Sequence, residues 1–208
     1  MRYLYRAIFF DLDGVLTTDS KGSYTTCKNI QKHVDLPLDK VLACYSKYGK
    51  DLVLGKVKFI DIWEDFCGCL NKNLDIGMLH EAFVNTPKNE RMFSLVKKLR
   101  QNGYKVGIIT DNNLERIEIL KKSMRLSRLF DVIVVSAEIG VKKDDPKIFE
   151  TALNLLGIEP NEAIFVDNAK DNLIVPKKLG FKTFFYDEQD LVFERFVKYL
   201  INTGVKVD

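Results

Sequence analysis

The sequence predicts an α/β fold: a Rossmann-like, three-layer core on a parallel sheet of five or more strands, plus a small α-helical domain. Short apolar runs recur along the chain, and amphipathic helical patterns separate most of them. This alternation is typical of parallel sheets with helices on both faces. Residues from about 16 to 86 interrupt it, because they lack a strong strand pattern. We therefore predict a helical domain at residues 16–86, inserted into a core domain formed by residues 1–15 and 87–208.

Five apolar runs predict the strands. They cover Ala7 to Phe10, Lys105 to Thr110, Val132 to Val135, Ala163 to Val166, and Lys182 to Tyr186. The core helices are indicated by apolar residues three and four positions apart, with proline at a start and glycine after an end. They cover Glu90 to Asn102, Asn113 to Ser123, and the segment from Pro146 to the residue before Gly157.

Two helices are predicted within the insertion, over Leu38 to Tyr48 and Phe59 to Leu70. The second has an apolar stripe formed by Phe59, Ile62, Trp63, Phe66 and Leu70. Aromatic stripes at helical spacing belong to a packed core more often than to a ligand-stacking surface. We therefore interpret this stripe as packing between the helices of the insertion.

Composition narrows the classes of partner. The net charge is only +3, and acidic and basic residues are interleaved, so charge predicts no nucleic-acid or membrane partner and is compatible with a small anionic substrate. The sequence begins without a signal-peptide pattern, and no apolar run approaches about 18 residues. A soluble, cytoplasmic protein is the expectation. The sequence does not indicate an oligomeric state.

The cysteines are Cys27, Cys44, Cys67 and Cys69, all within one third of the chain. Free thiols are expected in such a protein. The Cys67-Gly68-Cys69 segment lacks a second cysteine or histidine pair at ligand spacing, so it does not predict a structural metal site.

The first strand ends in two acids, Asp11 and Asp13, followed by Gly14. Side chains alternate along a strand, so both carboxylates point the same way where the strand ends. At roughly 4 Å and an effective dielectric of about 20, they repel by about 4 kcal/mol, so one takes a proton or a cation intervenes. Either outcome suits catalysis, by a nucleophile with an acid/base partner or by a metal ion. The alternative is an ordinary turn that ends a strand.

Other strands also end in polar residues, and ligands gather at the carboxyl ends of strands in open parallel sheets. The second strand ends in Thr110-Asp111-Asn112, where Thr110 suits a helix cap as well as a phosphate contact. Lys142 and Lys143 follow the third strand, and a lysine there can neutralise phosphate and a carboxylate. The segment Asp167 to Asn172 follows the fourth strand and offers carboxylate and amide oxygens for a cation such as magnesium, or an ordinary turn.

The order and spacing of these segments resemble the haloacid dehalogenase-like hydrolase superfamily over nearly the whole chain. The four motifs match Asp11-Leu12-Asp13-Gly14-Val15, Thr110, Lys143 before Asp145-Pro146, and Asp167 to Asp171. The predicted insertion lies between the first two motifs, where the family carries a helical cap domain.

The resemblance implies roles for the motif residues. Asp11 would be the nucleophile that forms an aspartyl-phosphate, and Asp13 would protonate the leaving oxygen and then activate water. Thr110, Asp111 and Lys143 would bind the substrate phosphate, with Thr110 and Lys143 also counted as catalytic. Lys143 matches the motif lysine better than Lys142 because of its spacing to Asp145-Pro146, although Asp144 stands where relatives often have proline.

The resemblance also implies a Mg²⁺ ion. Its ligands would be one oxygen of Asp11, the main-chain carbonyl of Asp13 and a residue of the fourth motif. Many relatives have two adjacent aspartates there, but this chain has Asp167 followed by Asn168. Asn168 can ligate through its carbonyl oxygen without charge, so the fourth-motif ligand is left open between Asp167, Asn168 and Asp171.

Within this family, the residue at the position of Asp13 distinguishes phosphoryl transfer from dehalogenation. Halide leaves without a proton, and dehalogenase relatives typically lack an acid at this position, so Asp13 favours phosphoryl transfer. The leading hypothesis is a Mg²⁺-dependent phosphatase for a small phosphorylated metabolite. The alternatives are a phosphomutase of the β-phosphoglucomutase type and a non-catalytic binding protein, which only Asn168 favours.

Overall fold

The computed structural model describes residues 4–187 and 191–208. Its centre is a five-stranded parallel sheet in the order β3-β2-β1-β4-β5. The strands are β1 (Ala7–Phe10), β2 (Lys105–Thr110), β3 (Val132–Val135), β4 (Ala163–Asp167) and β5 (Lys182–Phe185). The predicted α/β fold and all five predicted strands are confirmed, with end differences of one residue.

The helices within these ranges are α1 (Gly22–Gln31), α2 (Leu38–Val53), α3 (Phe59–Leu70), α4 (Gly77–Val84), α5 (Glu90–Gln101), α6 (Leu114–Ser123), α7 (Leu126–Leu129), α8 (Ser136–Ile139), α9 (Pro146–Leu156), α10 (Ile174–Leu179) and α11 (Val192–Asn202). The helices predicted at α2, α3, α5, α6 and α9 are therefore confirmed, and α2 runs five residues past its predicted end. Of the helices described, none combines the length and the apolar character needed to cross a bilayer.

The sheet is covered on both faces, which produces the predicted three layers. Every residue of β1 is buried, and successive side chains belong to different apolar clusters. Phe10 packs in the cluster that includes Ile117 of α6 and Phe196 of α11, whereas Phe9 packs with Phe149 of α9. An all-apolar central strand thus has a partner layer for both of its faces.

Helices α1 to α4 surround a separate apolar cluster formed by residues between 27 and 83. The stripe on α3 is buried in this cluster, as interpreted from the sequence. Helix α1 was not predicted because its sequence is largely polar. The domain boundaries themselves stay predictions, and residues 1–3 and 188–190 of the predicted core lie outside the described residues.

The chain enters and leaves the insertion at adjacent points. Thr17 forms an antiparallel bridge with Lys88, and the Asn89 N–H donates to the Leu16 carbonyl at 2.9 Å. The Asn89 side chain donates to the Val15 carbonyl at 3.0 Å and accepts from the first turn of α5. One asparagine therefore fastens the outgoing segment, the returning segment and the start of α5.

The expectation of four free thiols is wrong. A disulfide joins Cys44 of α2 to Cys69 of α3, with their Cα atoms 5.9 Å apart, while Cys27 and Cys67 are free and buried. The two cysteines are 25 residues apart in sequence, and only the packing of α2 against α3 brings them within disulfide range. Sequence spacing alone does not contain that information.

Candidate active site

A cleft of about 990 Å³ lies between the carboxyl ends of the strands and the insertion. Its floor consists of residues at or just after the ends of β1, β2 and β4, together with Lys143 from the loop before α9, and α1 and α2 form the facing wall. The floor includes Asp11, Asp13, Thr110, Asp111 and Lys143. The structure therefore brings together the residues expected from the first three motifs.

Lys143 joins the first and fourth motifs. Its ammonium nitrogen lies 2.8 Å from Asp11 Oδ1 and donates to Asp167 Oδ2 at 2.7 Å. All three side chains are buried. The main-chain N–H of Lys143 donates to Asp111 Oδ1 at 3.0 Å, which fixes the loop that carries the lysine. By contrast, Lys142 pairs with Asp144 near the surface and does not line the cleft.

The burial of these charges changes their protonation. Burial, followed by repulsion from Asp167, raises the pKa of Asp11 to about 8, even though Lys143 opposes the shift. Burial also acts against the charged ammonium of Lys143, but Asp11 and Asp167 outweigh it and raise the lysine pKa. Burial raises the pKa of Asp111 as well. Without a metal ion, Asp11 therefore keeps its proton up to about pH 8, while Lys143 stays charged.

The raised pKa of Asp11 predicts that this residue destabilises the metal-free fold as pH rises. Between about pH 4 and 8 the folded chain holds a proton on Asp11 that the unfolded chain releases, so stability falls with increasing pH. The slope contributed by this group is at most about 1.4 kcal/mol per pH unit. Urea unfolding in EDTA from pH 5 to 8 should show the native chain losing stability relative to Asp11→Asn. A pH-independent difference between the two would contradict the assignment.

Asp13 is held by a buried arginine that the sequence analysis did not select. Arg116 donates through Nη1 to Asp13 Oδ2 at 2.8 Å and through Nη2 to Oδ1 at 2.7 Å. Asn112 adds a third donor, to Oδ2 at 3.1 Å. Burial disfavours the guanidinium charge, but Asp13 outweighs it and the pKa of Arg116 is raised. This two-point contact fixes the carboxylate in one orientation.

The start of α1 covers this ion pair. A Cβ atom on Gly22 would lie 2.4 Å from Arg116 Nη1 and 2.6 Å from Asp13 Oδ2, so no larger residue fits without displacing the pair. The insertion thus touches the proposed acid directly.

A signal for Arg116 does exist in the sequence. Positions 113, 116, 117 and 120 share one face of α6, and Ile117 and Leu120 on that face are buried in the core. An arginine on a buried face needs a partner. Its acidic partner, however, is 103 residues away in sequence, and only the folded chain identifies it.

Some residues of the fourth motif lie in the site and others lie at the surface. Asp167 is fully buried, and both of its oxygens accept hydrogen bonds from protein donors on Lys143, Ala169 and Asn172. Asp171 is exposed and does not line the cleft. Asn168 lines the cleft, and its Nδ2 donates to the Ser20 carbonyl at 3.0 Å.

Gly14 makes room for this arrangement. Its φ angle is 81°, and a Cβ atom there would lie 2.2 Å from Asn168 Nδ2. The first motif therefore needs glycine both for its backbone conformation and for the close approach of the fourth motif.

The residues present fit a magnesium ion. Mg²⁺ prefers oxygen ligands, retains several waters and often needs only one or two protein carboxylates. Asp11 supplies a carboxylate whose pKa is raised first by burial and then by repulsion from Asp167, so a cation bound beside it would favour the charged form. With Nδ2 of Asn168 engaged, Oδ1 is the oxygen that this residue offers. No cluster of three or more acid, histidine or cysteine side chains suited to a metal occurs in residues 4–187 and 191–208, so main-chain and amide oxygens have to complete the set.

Known proteins resemble this chain in sequence and fold. Bifunctional epoxide hydrolase 2 of Rattus norvegicus is 27% identical over 199 residues, covering 86% of this chain but only 36% of that protein. Glyceraldehyde 3-phosphate phosphatase of Pyrococcus furiosus is 29% identical over 221 residues, covering 94% of this chain and 88% of that protein. A HAD family enzyme of Bacteroides thetaiotaomicron, solved in complex with magnesium and inorganic phosphate, has a TM-score of 0.68 at 20% identity, covering 89% of this chain and 96% of that one.

The family model for haloacid dehalogenase-like hydrolases matches residues 5–180. That range contains all four motifs and four of the five strands, β1 to β4. The chain belongs to the haloacid dehalogenase-like hydrolase family.

Proposed function

We propose that this protein is a Mg²⁺-dependent phosphatase that hydrolyses a phosphate monoester through an aspartyl-phosphate on Asp11. The observation that carries the proposal is the pairing at the cleft floor, where Lys143 lies 2.8 Å from Asp11 Oδ1 and Asp13 lines the same cleft. The phosphatase relative and the fold neighbour with bound magnesium and phosphate support it.

In the proposed reaction, an Asp11 oxygen attacks phosphorus and the bond from phosphorus to the leaving oxygen breaks. For this step one Asp13 oxygen would leave its contact with Arg116 and carry a proton; Asp13 gives that proton to the leaving oxygen, then removes a proton from the water that attacks the aspartyl-phosphate. Thr110 and Lys143 bind the non-bridging phosphate oxygens, while the Asp111 carboxylate holds the lysine loop. When bound, Mg²⁺ supplies positive charge that offsets the phosphate and the strand-end carboxylates. Arg116 and Asn112 hold Asp13 in position until it acts.

Within the fourth motif we propose Asn168 as the metal ligand. Asp167 already accepts hydrogen bonds at both oxygens, and Asp171 lies outside the cleft. Asn168 lines the cleft with its Oδ1 available. Asp11 and the main-chain carbonyl of Asp13 complete the protein ligands.

This ligand assignment predicts that Asn168→Asp tightens Mg²⁺ binding by about tenfold, because ligand charge raises affinity for a hard cation. The same change loses the hydrogen bond to Ser20, so the metal-free variant should melt earlier than the native protein. Calorimetric Mg²⁺ titration and melting in EDTA measure the two effects. Asp171→Asn is the matched control and should bind Mg²⁺ as the native chain does. Weaker binding in that control, with no gain in Asn168→Asp, would make Asp171 the ligand.

The phosphatase proposal is tested by phosphate release from p-nitrophenyl phosphate with and without Mg²⁺. Release that requires Mg²⁺ is the expected result. A sugar monophosphate that yields an isomeric phosphate instead of free phosphate would favour the phosphomutase alternative. A folded protein that neither binds Mg²⁺ nor releases phosphate would favour the non-catalytic alternative.

A further inference from the structure

The cleft is large for a phosphate group alone. Its volume of about 990 Å³ is at the upper end of the roughly 300–1,000 Å³ that ligand pockets usually occupy. The proposed reaction uses only the strand-end floor. The remaining space adjoins the insertion, where the leaving group of a substrate would lie.

One face of α2 lines this space along most of the helix. Asp39, Leu42, Ser46, Gly49 and Val53 recur at three- and four-residue spacing, and all of them line the cleft. At 1.5 Å per residue, this face extends for about 21 Å. A wall of this length is much longer than a phosphate group.

The direction of this wall is fixed by a contact at its end. Ser136, which follows β3, donates to the Val53 carbonyl at 2.6 Å, and its hydroxyl accepts from the Asn112 N–H at 3.0 Å. The Val53 end of α2 is thus tied to the strand-end floor. From that end the cleft-lining face of α2 runs to Asp39.

The α2 side of the wall is largely apolar between Leu42 and Val53, whereas polar and charged side chains line the cleft at the start of α1 and at Asp39. Among cleft residues of α2 from Leu42 to Val53, only Tyr45 and Ser46 carry polar side-chain groups. The Tyr45 hydroxyl is buried and pairs with Thr26. The charged residues of this stretch, Lys47, Lys50 and Asp51, do not line the cleft. A sugar or nucleoside lying against this part of α2 would find few partners for its hydroxyls.

We propose that the substrate is the phosphate monoester of an extended, apolar alcohol whose chain lies along α2 from Val53 toward Asp39. This inference rests on the proposed phosphatase activity and narrows its substrate class. Ala43, Ser46 and Gly49, whose side chains are small or absent, line the cleft along this path.

The test compares three substrates in the presence of Mg²⁺: octyl phosphate below its micelle concentration, glycerol 3-phosphate and glucose 6-phosphate. We expect kcat/KM for octyl phosphate to exceed the other two values by at least tenfold, because the octyl chain removes several CH₂ groups from water. Equal or higher values for either hydrophilic substrate would overturn the inference.

A pair of glycine variants tests where the alkyl chain of the substrate lies. A Cβ atom at Gly49 or at Gly68 meets no heavy atom within 4 Å, so leucine fits at both, but only Gly49 lines the cleft. Gly49→Leu should lower the octyl-to-glycerol ratio of kcat/KM at least tenfold. Gly68→Leu, on α3, should keep the ratio within twofold of the native value. An unchanged ratio in Gly49→Leu would place the leaving group elsewhere.

The activity assays test the phosphatase activity and the apolar substrate class separately. If p-nitrophenyl phosphate is hydrolysed but octyl phosphate is not preferred, the phosphatase assignment stands and the apolar substrate class is rejected. If none of the esters is hydrolysed by the folded, Mg²⁺-loaded protein, both are rejected. Calorimetry with octylphosphonate, which is not hydrolysed, adds a binding readout, and failure to bind it would count against the apolar wall.

Discussion

Replacing Asp11 with asparagine is expected to lower turnover of phosphate esters by roughly 10⁴-fold or more, in the range seen when a covalent nucleophile is lost. The amide has almost the same shape as the carboxylate but cannot attack phosphorus. Asp11 is buried and packed against the end of β4, where its N–H donates to the Val166 carbonyl at 2.9 Å. That backbone contact is kept in the variant, so the loss should be chemical and not structural.

Steady-state phosphate release with Mg²⁺ measures this effect. Asp144→Asn is the matched control, because Asp144 is exposed and lies outside the cleft, and it should retain native turnover. Mass spectrometry of the Asp11→Asn sample excludes reversion by deamidation. A folded variant that keeps more than about one thousandth of native turnover would rule out Asp11 as the nucleophile.

Replacing Lys143 with methionine is expected to lower the free energy of unfolding by about 3–5 kcal/mol, the usual result of removing one partner from a buried ion pair. The change leaves Asp11 and Asp167 without the ammonium group that lies 2.8 and 2.7 Å from them. Turnover should fall as well, because the substrate phosphate loses a cation. Urea unfolding at pH 7 in EDTA measures the stability effect.

Lys142→Met provides the control at the neighbouring position. Lys142 is partly exposed and pairs with Asp144 near the surface, so its loss should change stability by about 0.5 kcal/mol or less. Native turnover is expected. If the effects of the two substitutions were reversed, Lys142 would be the motif lysine.

The sequence predicted the sheet well because the strands are short runs rich in apolar residues, and the first four lead into polar residues. Residues 11, 110 and 167 were placed at strand ends in this way, and parallel topology brings those ends to one edge. The buried position of Lys143 could be anticipated only through the family resemblance, since a lysine in a loop is usually solvated.

The remaining features depend on contacts between distant segments. The partnership of Arg116 with Asp13, the pairing of Cys44 with Cys69 and the withdrawal of Asp171 from the cleft leave no periodic signal. Helix α11 was also not predicted, although Phe196 and Leu200 bury its apolar face against the sheet. Tertiary packing decides each of these features.

The bridge between Thr17 and Lys88 bears on which inserts the core can carry. Because the outgoing and returning segments meet there, the insertion is a single closed loop with respect to the core. Loop-closure entropy grows slowly, by about 0.6 kcal/mol for each doubling of length, so the core tolerates inserts of very different sizes at this junction. The junction therefore works as a grafting point, at which a different helical module would give the same strand-end chemistry a new choice of substrate.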